Sequence, residues 1–125
     1  MPSYSFHNIF PLLSNPFIAI ASEDKPYYHA LCVMANNFTT LLWQKYFNEM
    51  QHRFNIPLEA LRPILYQTAE NIAKDYQNAL TGPLTRNDKK TIDRNLESLS
   101  GDEYKEVYRA FIKTHSIIFN PSESS

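Results

Sequence analysis

Glycine is almost missing from this chain. Its 125 residues hold two, Gly82 and Gly101. A dinucleotide phosphate loop of the G-x-G-x-x-G type needs three in close order, so no such loop can be written here. Cysteine is scarcer still: Cys32 stands alone. That excludes an internal disulfide and zinc sites of the Cys₄ or Cys₂His₂ type. Net charge is nearly absent as well, at −1. This argues against a global attraction to nucleic acid or to an anionic membrane, and neither is expected as a partner. No run approaches the roughly 18 apolar residues of a membrane span. The beginning of the chain lacks a basic region followed by a long apolar stretch, so no secretory signal is expected and a cytoplasmic location is. His7, His29, His52 and His115 show no H-x-x-x-H spacing, no G-x-S-x-G elbow occurs, and no metal is expected.

What is present is apolar and aromatic. Hydrophobic residues make up 43 % and aromatics 14 %, with eight Tyr and eight Phe. Such a composition favours packing over disorder. The length suits one domain, able to bury about two thirds of the surface that its unfolded form exposes.

Helical periodicity organises most of the chain. Residues 1–24 read as an extended N-terminal segment, broken by Pro2, Pro11 and Pro16. A long helix is expected from Lys25 to about Arg53, capped by Ser22 or Asp24 and opened by Pro26. Tyr27, Leu31, Met34, Phe38, Leu41, Leu42, Tyr46 and Met50 form its apolar stripe. At 1.5 Å per residue it would measure roughly 40 Å, long for so small a chain. The Asn55-Ile56-Pro57 sequence ends it. A second helical stretch carries Leu58, Leu61, Leu65, Ala69, Ile72 and Tyr76, divided at Pro63 and stopped by Thr81-Gly82-Pro83. A third is expected to start at Thr85, with Asp88 as a capping-box variant. A last one is expected behind a Ser100/Glu103 capping box, with His115 on its apolar stripe. The fold class is therefore mainly α: a bundle of four to five helices around one long central helix, over residues 25–120, with a disordered tail at 121–125.

Two segments place polar groups where a helical core would prefer apolar ones: residues 25–37, KPYYHALCVMANN, and residues 79–88, ALTGPLTRND. Lys25, His29, Asn36 and Thr40 are spaced four, seven and four apart, which on a helix returns to nearly one face. A lysine, a histidine and an amide on one face suit the binding of a carbonyl or carboxylate and the transfer of a proton to it. The same line equally suits the wet side of an amphipathic helix. Asn71, near the stripe of the second helix, fits a helix–helix hydrogen bond or a ligand contact. The 81–88 segment joins a rigid turn to a helix N-terminus beside Arg86, Lys89, Lys90 and Arg94, where either an anion or the chain's own Asp88 balances the charge.

The string K-x-x-Y-H-A, followed by Ala35-Asn36-Asn37, Thr68-Ala69-Glu70-Asn71 and A-L-T-G-P-L-T-R-N-D, resembles the helical C-terminal domain of a family of uncharacterised Rossmann-like, NADP-dependent oxidoreductases. That family looks related to pyrroline-5-carboxylate reductase, ketopantoate reductase and 6-phosphogluconate dehydrogenase. The resemblance covers roughly residues 25–118. It implies a 6-phosphogluconate-dehydrogenase C-terminal-domain-like fold that dimerises and supplies substrate residues. It implies catalytic roles for Lys25, His29 and Asn36, and substrate contacts from Asn37, Asn71, Thr81, Gly82 and Arg86. NADP is expected for the family but not for this chain alone, because the glycine loop is missing. The resemblance thus implies a domain incomplete as a catalyst, a homodimer, and a Rossmann domain supplied separately. The alternative is a non-catalytic helical interaction module that kept the fold and lost the chemistry.

Overall fold

The computed structural model describes residues 19–120. Most of the extended segment expected over residues 1–24, and the disordered tail expected over 121–125, lie outside the described residues. The mainly α class holds: every regular element among the described residues is helical. A 3₁₀ turn at Ser22–Asp24 leads into α1, Lys25–Cys32. A π-helical segment, Val33–Phe38, joins α1 without a break to α2, Thr39–His52. Then follow α3, Leu58–Asp75, a 3₁₀ turn at Tyr76–Asn78, α4, Lys89–Ser98, and α5, Lys105–Phe119. Cα packing divides the chain into two compact units, the first ending at Leu61 and the second beginning at Arg62, within α3.

In the first unit the long helix expected from residue 25 is found, ending at His52. Pro26 sits at its start, where a missing N–H costs nothing, but neither Ser22 nor Asp24 donates a side-chain cap. Trp43, Tyr46 and Phe47 pack as a trio on α2, with ring centroids 5.4 to 5.8 Å apart. Beyond His52 the chain reverses at Asn55, whose φ of 55° is left-handed, and the Ile56 N–H turns back to the Met50 carbonyl at 3.0 Å. Leu61, 2 % exposed, is the one buried hydrophobic side chain among the described residues. In contrast, Tyr27, Leu31, Met34, Phe38 and Leu41 remain 43 to 69 % exposed. On a uniform helix their steps of four, three, four and three would make a coiled-coil seam; the π segment turns Tyr27 and Leu31 against Leu41 and leaves a broader exposed apolar face.

In the second unit four expectations need correction. Pro63 does not divide α3; the helix runs through it, because only one ladder bond is forfeited where the first turn has just closed. The helix ends at Asp75 (φ −157°), short of the Gly82-Pro83 stop, and the 3₁₀ turn completes it. Finally, α4 begins at Lys89, not at Thr85. Residues 83–87 form turns, closed by Arg86 N–H to Gly82 O at 3.2 Å and Asp88 N–H to Pro83 O at 2.9 Å, and Asn87 adopts a φ of 54° that no helix admits. Asp88 caps α4, accepting the Thr91 N–H at 3.2 Å and the Thr91 hydroxyl at 2.7 Å. Similarly, α5 opens at Lys105 and not behind Ser100; Asp102 receives the Tyr104 N–H at 2.7 Å. A hydrogen bond from Asn95 Nδ2 to the Tyr108 hydroxyl, 2.9 Å, ties α4 to α5. No helix among the described residues is long and apolar enough to cross a membrane.

Candidate functional site

The eight residues singled out by sequence divide evenly between the units: Lys25, His29, Asn36 and Asn37 in the first, Asn71, Thr81, Gly82 and Arg86 in the second. Lys25 is the first residue of α1 and His29 lies one turn on; both are exposed. Asn36 and Asn37 lie inside the π segment and are also exposed. The single-face line of Lys25, His29, Asn36 and Thr40 assumed a uniform α period. A turn that closes at i+5 advances by a smaller angle per residue than one that closes at i+4, so the wide turn rotates the residues before it against those after it. The four therefore do not form the straight line that spacing alone suggests.

In the second unit the structure brings Asn71 and Thr81 together. Both line a cleft of about 370 Å³ bounded by Thr68, Asn71, Ile72 and Tyr76 on one side and Ala79, Leu80 and Thr81 on the other. A neighbouring cleft of about 260 Å³ adds Lys74, Asp75 and Asn78 to the same pair. Gln67, one turn before Asn71, donates from Nε2 to Asn71 Oδ1 at 2.8 Å. That bond fixes the amide's orientation and leaves Asn71 Nδ2 available to a ligand acceptor. Asp75 has an oxygen taken by Asn78 Nδ2 at 3.0 Å. Asn71 and Thr81 suit a carbonyl or carboxylate oxygen in the larger cleft, and in the smaller one Lys74 stands beside the Asp75 carboxylate. Sequence reasoning missed Gln67, Thr68 and Lys74. The signal was available: they stand four and three residues before Asn71 and three after it, where helical neighbours meet.

Gly82 serves the turn itself, with a φ of 102° that only glycine adopts easily. Arg86 points at Asp88, Nη2 to Oδ2 3.9 Å, with its side chain 62 % exposed. The Asp88 carboxyl is held below its ordinary value, first by the Thr91 hydroxyl, then by the Thr91 N–H, with Arg86 and Arg94 adding attraction. The N-terminus of α4 therefore already holds an anion, its own Asp88, where sequence allowed an external one. On the far side of the 79–88 segment another cleft, about 440 Å³, is lined by Leu80, Leu84, Thr85, Asn87, His115 and Phe119 among others. The His115 ring lies 4.5 Å from that of Phe119. Among the described residues no three His, Cys, Asp or Glu side chains gather as a metal site would require.

A family profile described as Domain of unknown function (DUF2520) matches residues 5–114. No curated protein and no solved structure matches the chain. The match spans most of the 125 residues, including both polar segments, and the chain belongs to the DUF2520 family.

Proposed function

We propose that this chain is the helical substrate-binding and dimerisation domain of an NADP-dependent oxidoreductase, incomplete as a catalyst alone. The observation that carries the reading is the cleft in which Asn71, its oxygen engaged by Gln67, meets Thr81: two positions from different resembling motifs, on either side of the end of α3, that set polar groups in a wall otherwise lined largely by apolar side chains. The residues present do not fit the dinucleotide. Gly82 is spent on a turn, the α4 N-terminus is taken by Asp88, and no strand among the described residues supports a phosphate loop. The cofactor then belongs to a separate Rossmann domain, and each unit of this chain offers its own polar groups to a substrate. In the first, Lys25 and His29 suit proton transfer beside Asn36 and Asn37; in the second, Asn71 and Thr81 suit the holding of an oxygen, while Gly82 shapes the turn and Arg86 is turned to Asp88.

The alternative, a non-catalytic helical interaction module, has its own observation: the exposed apolar seam from Tyr27 to Leu41, which a second copy of the chain would cover. Under both readings light scattering at micromolar concentration gives a dimer mass. The two are separated by titrating the ¹⁵N-labelled chain with pyruvate, a minimal 2-oxo acid, to tens of millimolar. Under the first reading the Asn71 side-chain amide and the Thr81 N–H shift, and Asn71→Ala removes the shifts while the fold survives. If neither resonance moves, the substrate reading fails. Lys25→Ala and His29→Ala extend the test. In a preparation complemented by a Rossmann domain they lower activity under the first reading and change nothing but stability under the second.

A further inference from the structure

We propose that Thr39 and Thr40 are positioning residues whose hydroxyls hold the wide turn Val33–Phe38 open and so fix the direction in which Asn36 and Asn37 leave the helix. The inference deepens the reading above, in which those asparagines face the substrate. A π-helical segment inside an α-helix is rare and needs local support. Where the ladder passes from i+5 closure back to i+4 closure, the amides that serve successive carbonyls change register, and a side-chain hydroxyl can add a second donor to the carbonyls there. The two carbonyls at this junction belong to Ala35 and Asn36. Thr39 Oγ1 donates to Ala35 O at 2.6 Å and lies 3.2 Å from Asn36 O; Thr40 Oγ1 donates to Asn36 O at 2.6 Å; the Thr39 N–H also points to Asn36 O. The hydroxyls thus supply the donors at the place where the amide ladder changes register.

A threonine bonding back to the carbonyl four residues earlier is common and only bends a helix slightly. Thr68 does so in α3, Oγ1 to Ile64 O at 2.9 Å, within a regular helix. What sets Thr39 and Thr40 apart is that two successive hydroxyls serve the two carbonyls at the exit of the wide turn. If the turn closed to α geometry, the residues before it would rotate by about 100° and shift by about 1.5 Å against α2, which is one residue of helix. Lys25 and His29 would then stand at a new angle to α2. The threonines therefore set the relation between the two halves of the polar line, as well as the posture of the asparagines.

The test uses the full chain, labelled with ¹⁵N and ¹³C, and through-hydrogen-bond couplings between amide nitrogens and carbonyl carbons. These couplings read i+5 closure against i+4 closure directly. The wild type is expected to show i+5 couplings across residues 33–39. The double variant Thr39→Val/Thr40→Val keeps shape and β-branching but loses both hydroxyls. It is expected to lose those couplings, gain i+4 couplings, and move the Asn36 and Asn37 side-chain amides. Thr39→Ser/Thr40→Ser restores the hydroxyls and is expected to restore the i+5 pattern. Thr68→Val, the control, is expected to leave α3 unchanged. The single variants Thr39→Val and Thr40→Val report the same couplings should the double variant unfold. Retention of the i+5 couplings in the hydroxyl-free variants overturns the proposal, as does failure of the serine pair to rescue them. None of these readings needs a ligand. A failed pyruvate titration of Asn71 and Thr81 would remove the substrate reading and leave this result standing.

Discussion

Leu61 is the sharpest place to perturb the fold. It is 2 % exposed, whereas Leu41 on α2 is 48 % exposed. Replacing Leu61 with Ala removes buried methyl groups and leaves a cavity, a change that costs about 3 kcal/mol in well-packed sites. The same substitution at Leu41 forfeits about half the transfer free energy of a leucine side chain, roughly 1 kcal/mol, and opens no cavity. Both gain a few tenths of a kcal/mol or less from alanine's helix propensity, which cancels in the comparison. The expected difference between the variants is therefore about 2 kcal/mol. Urea unfolding followed by far-UV circular dichroism measures it, provided that wild type and variants share one slope and the midpoint alone moves. Measured at low micromolar concentration and again tenfold higher, the experiment also reads the seam. If a second copy covers Leu41 in solution, the cost of Leu41→Ala rises toward that of Leu61→Ala and the midpoint depends on concentration. A cost for Leu61→Ala below about 1 kcal/mol, at any concentration, would refute the reasoning from burial.

Three further outcomes are expected. The folded state favours the Asp88 carboxylate, so the unfolded chain binds that proton more tightly; the resulting stability is present above the ordinary value of 3.8 and is lost as pH falls through the lower, folded value. Asp88→Asn keeps a capping side chain without the charge, and its stability profile should be flatter on the acid side than that of wild type; an unchanged acid slope would count against the Thr91 contacts as the cause. Tyr108→Phe breaks the Asn95 hydrogen bond between α4 and α5 and should cost about 1 kcal/mol in urea unfolding, against no change if the bond is absent in solution. Gly82→Ala and Gly101→Ala meet nothing within 4 Å of the new Cβ, so their whole cost is the backbone (φ of 102° and 81°), roughly 1–2 kcal/mol each; a stabilising effect at either site would contradict the positive φ.

The sequence made the helices legible through periodicity and hid the places where geometry departs from it. The run from Lys25 to His52 follows from an apolar stripe, Tyr27, Leu31, Met34, Phe38 and Leu41, that reads as a uniform helical repeat. For the same reason nothing in that stripe announces the wide turn; the visible trace is the Asn-Asn pair followed by Thr39 and Thr40. Helix starts were harder. Thr85 and Ser100 have capping chemistry, but Asp88 and Asp102 take the amides instead, since Asn87 turns left-handed and Gly101 permits a turn. Pro63 read as a break and was not one: the helix continues through it with one i→i−4 bond forfeited. On the candidate site, Asn71 and Thr81 were both visible as polar residues in unusual places. That they share a cleft was not, for it depends on where α3 stops, and Asp75 carries no sequence mark of that.

The polar residues of the two unusual segments can be sorted by what already engages them. Thr39 and Thr40 are spent on backbone carbonyls, Asp88 and Thr91 on a helix cap, Arg86 on Asp88, and Gly82 and Asn87 on turns. Structure alone accounts for these. The side chains of Asn36, Asn37 and Thr81, and the Nδ2 group of Asn71, answer to no hydrogen bond among the described residues. Polar groups that the fold does not use carry no penalty while exposed, so stability neither requires nor forbids them. The substrate reading proposed above draws on these groups, unit by unit: donors that the fold leaves free to meet a ligand. A wet helix face leaves the same groups free, and exposed i,i+4 hydrogen bonds such as that of Gln67 to Asn71 occur there as well, so the pyruvate titration of Asn71 and Thr81 is what separates the two readings.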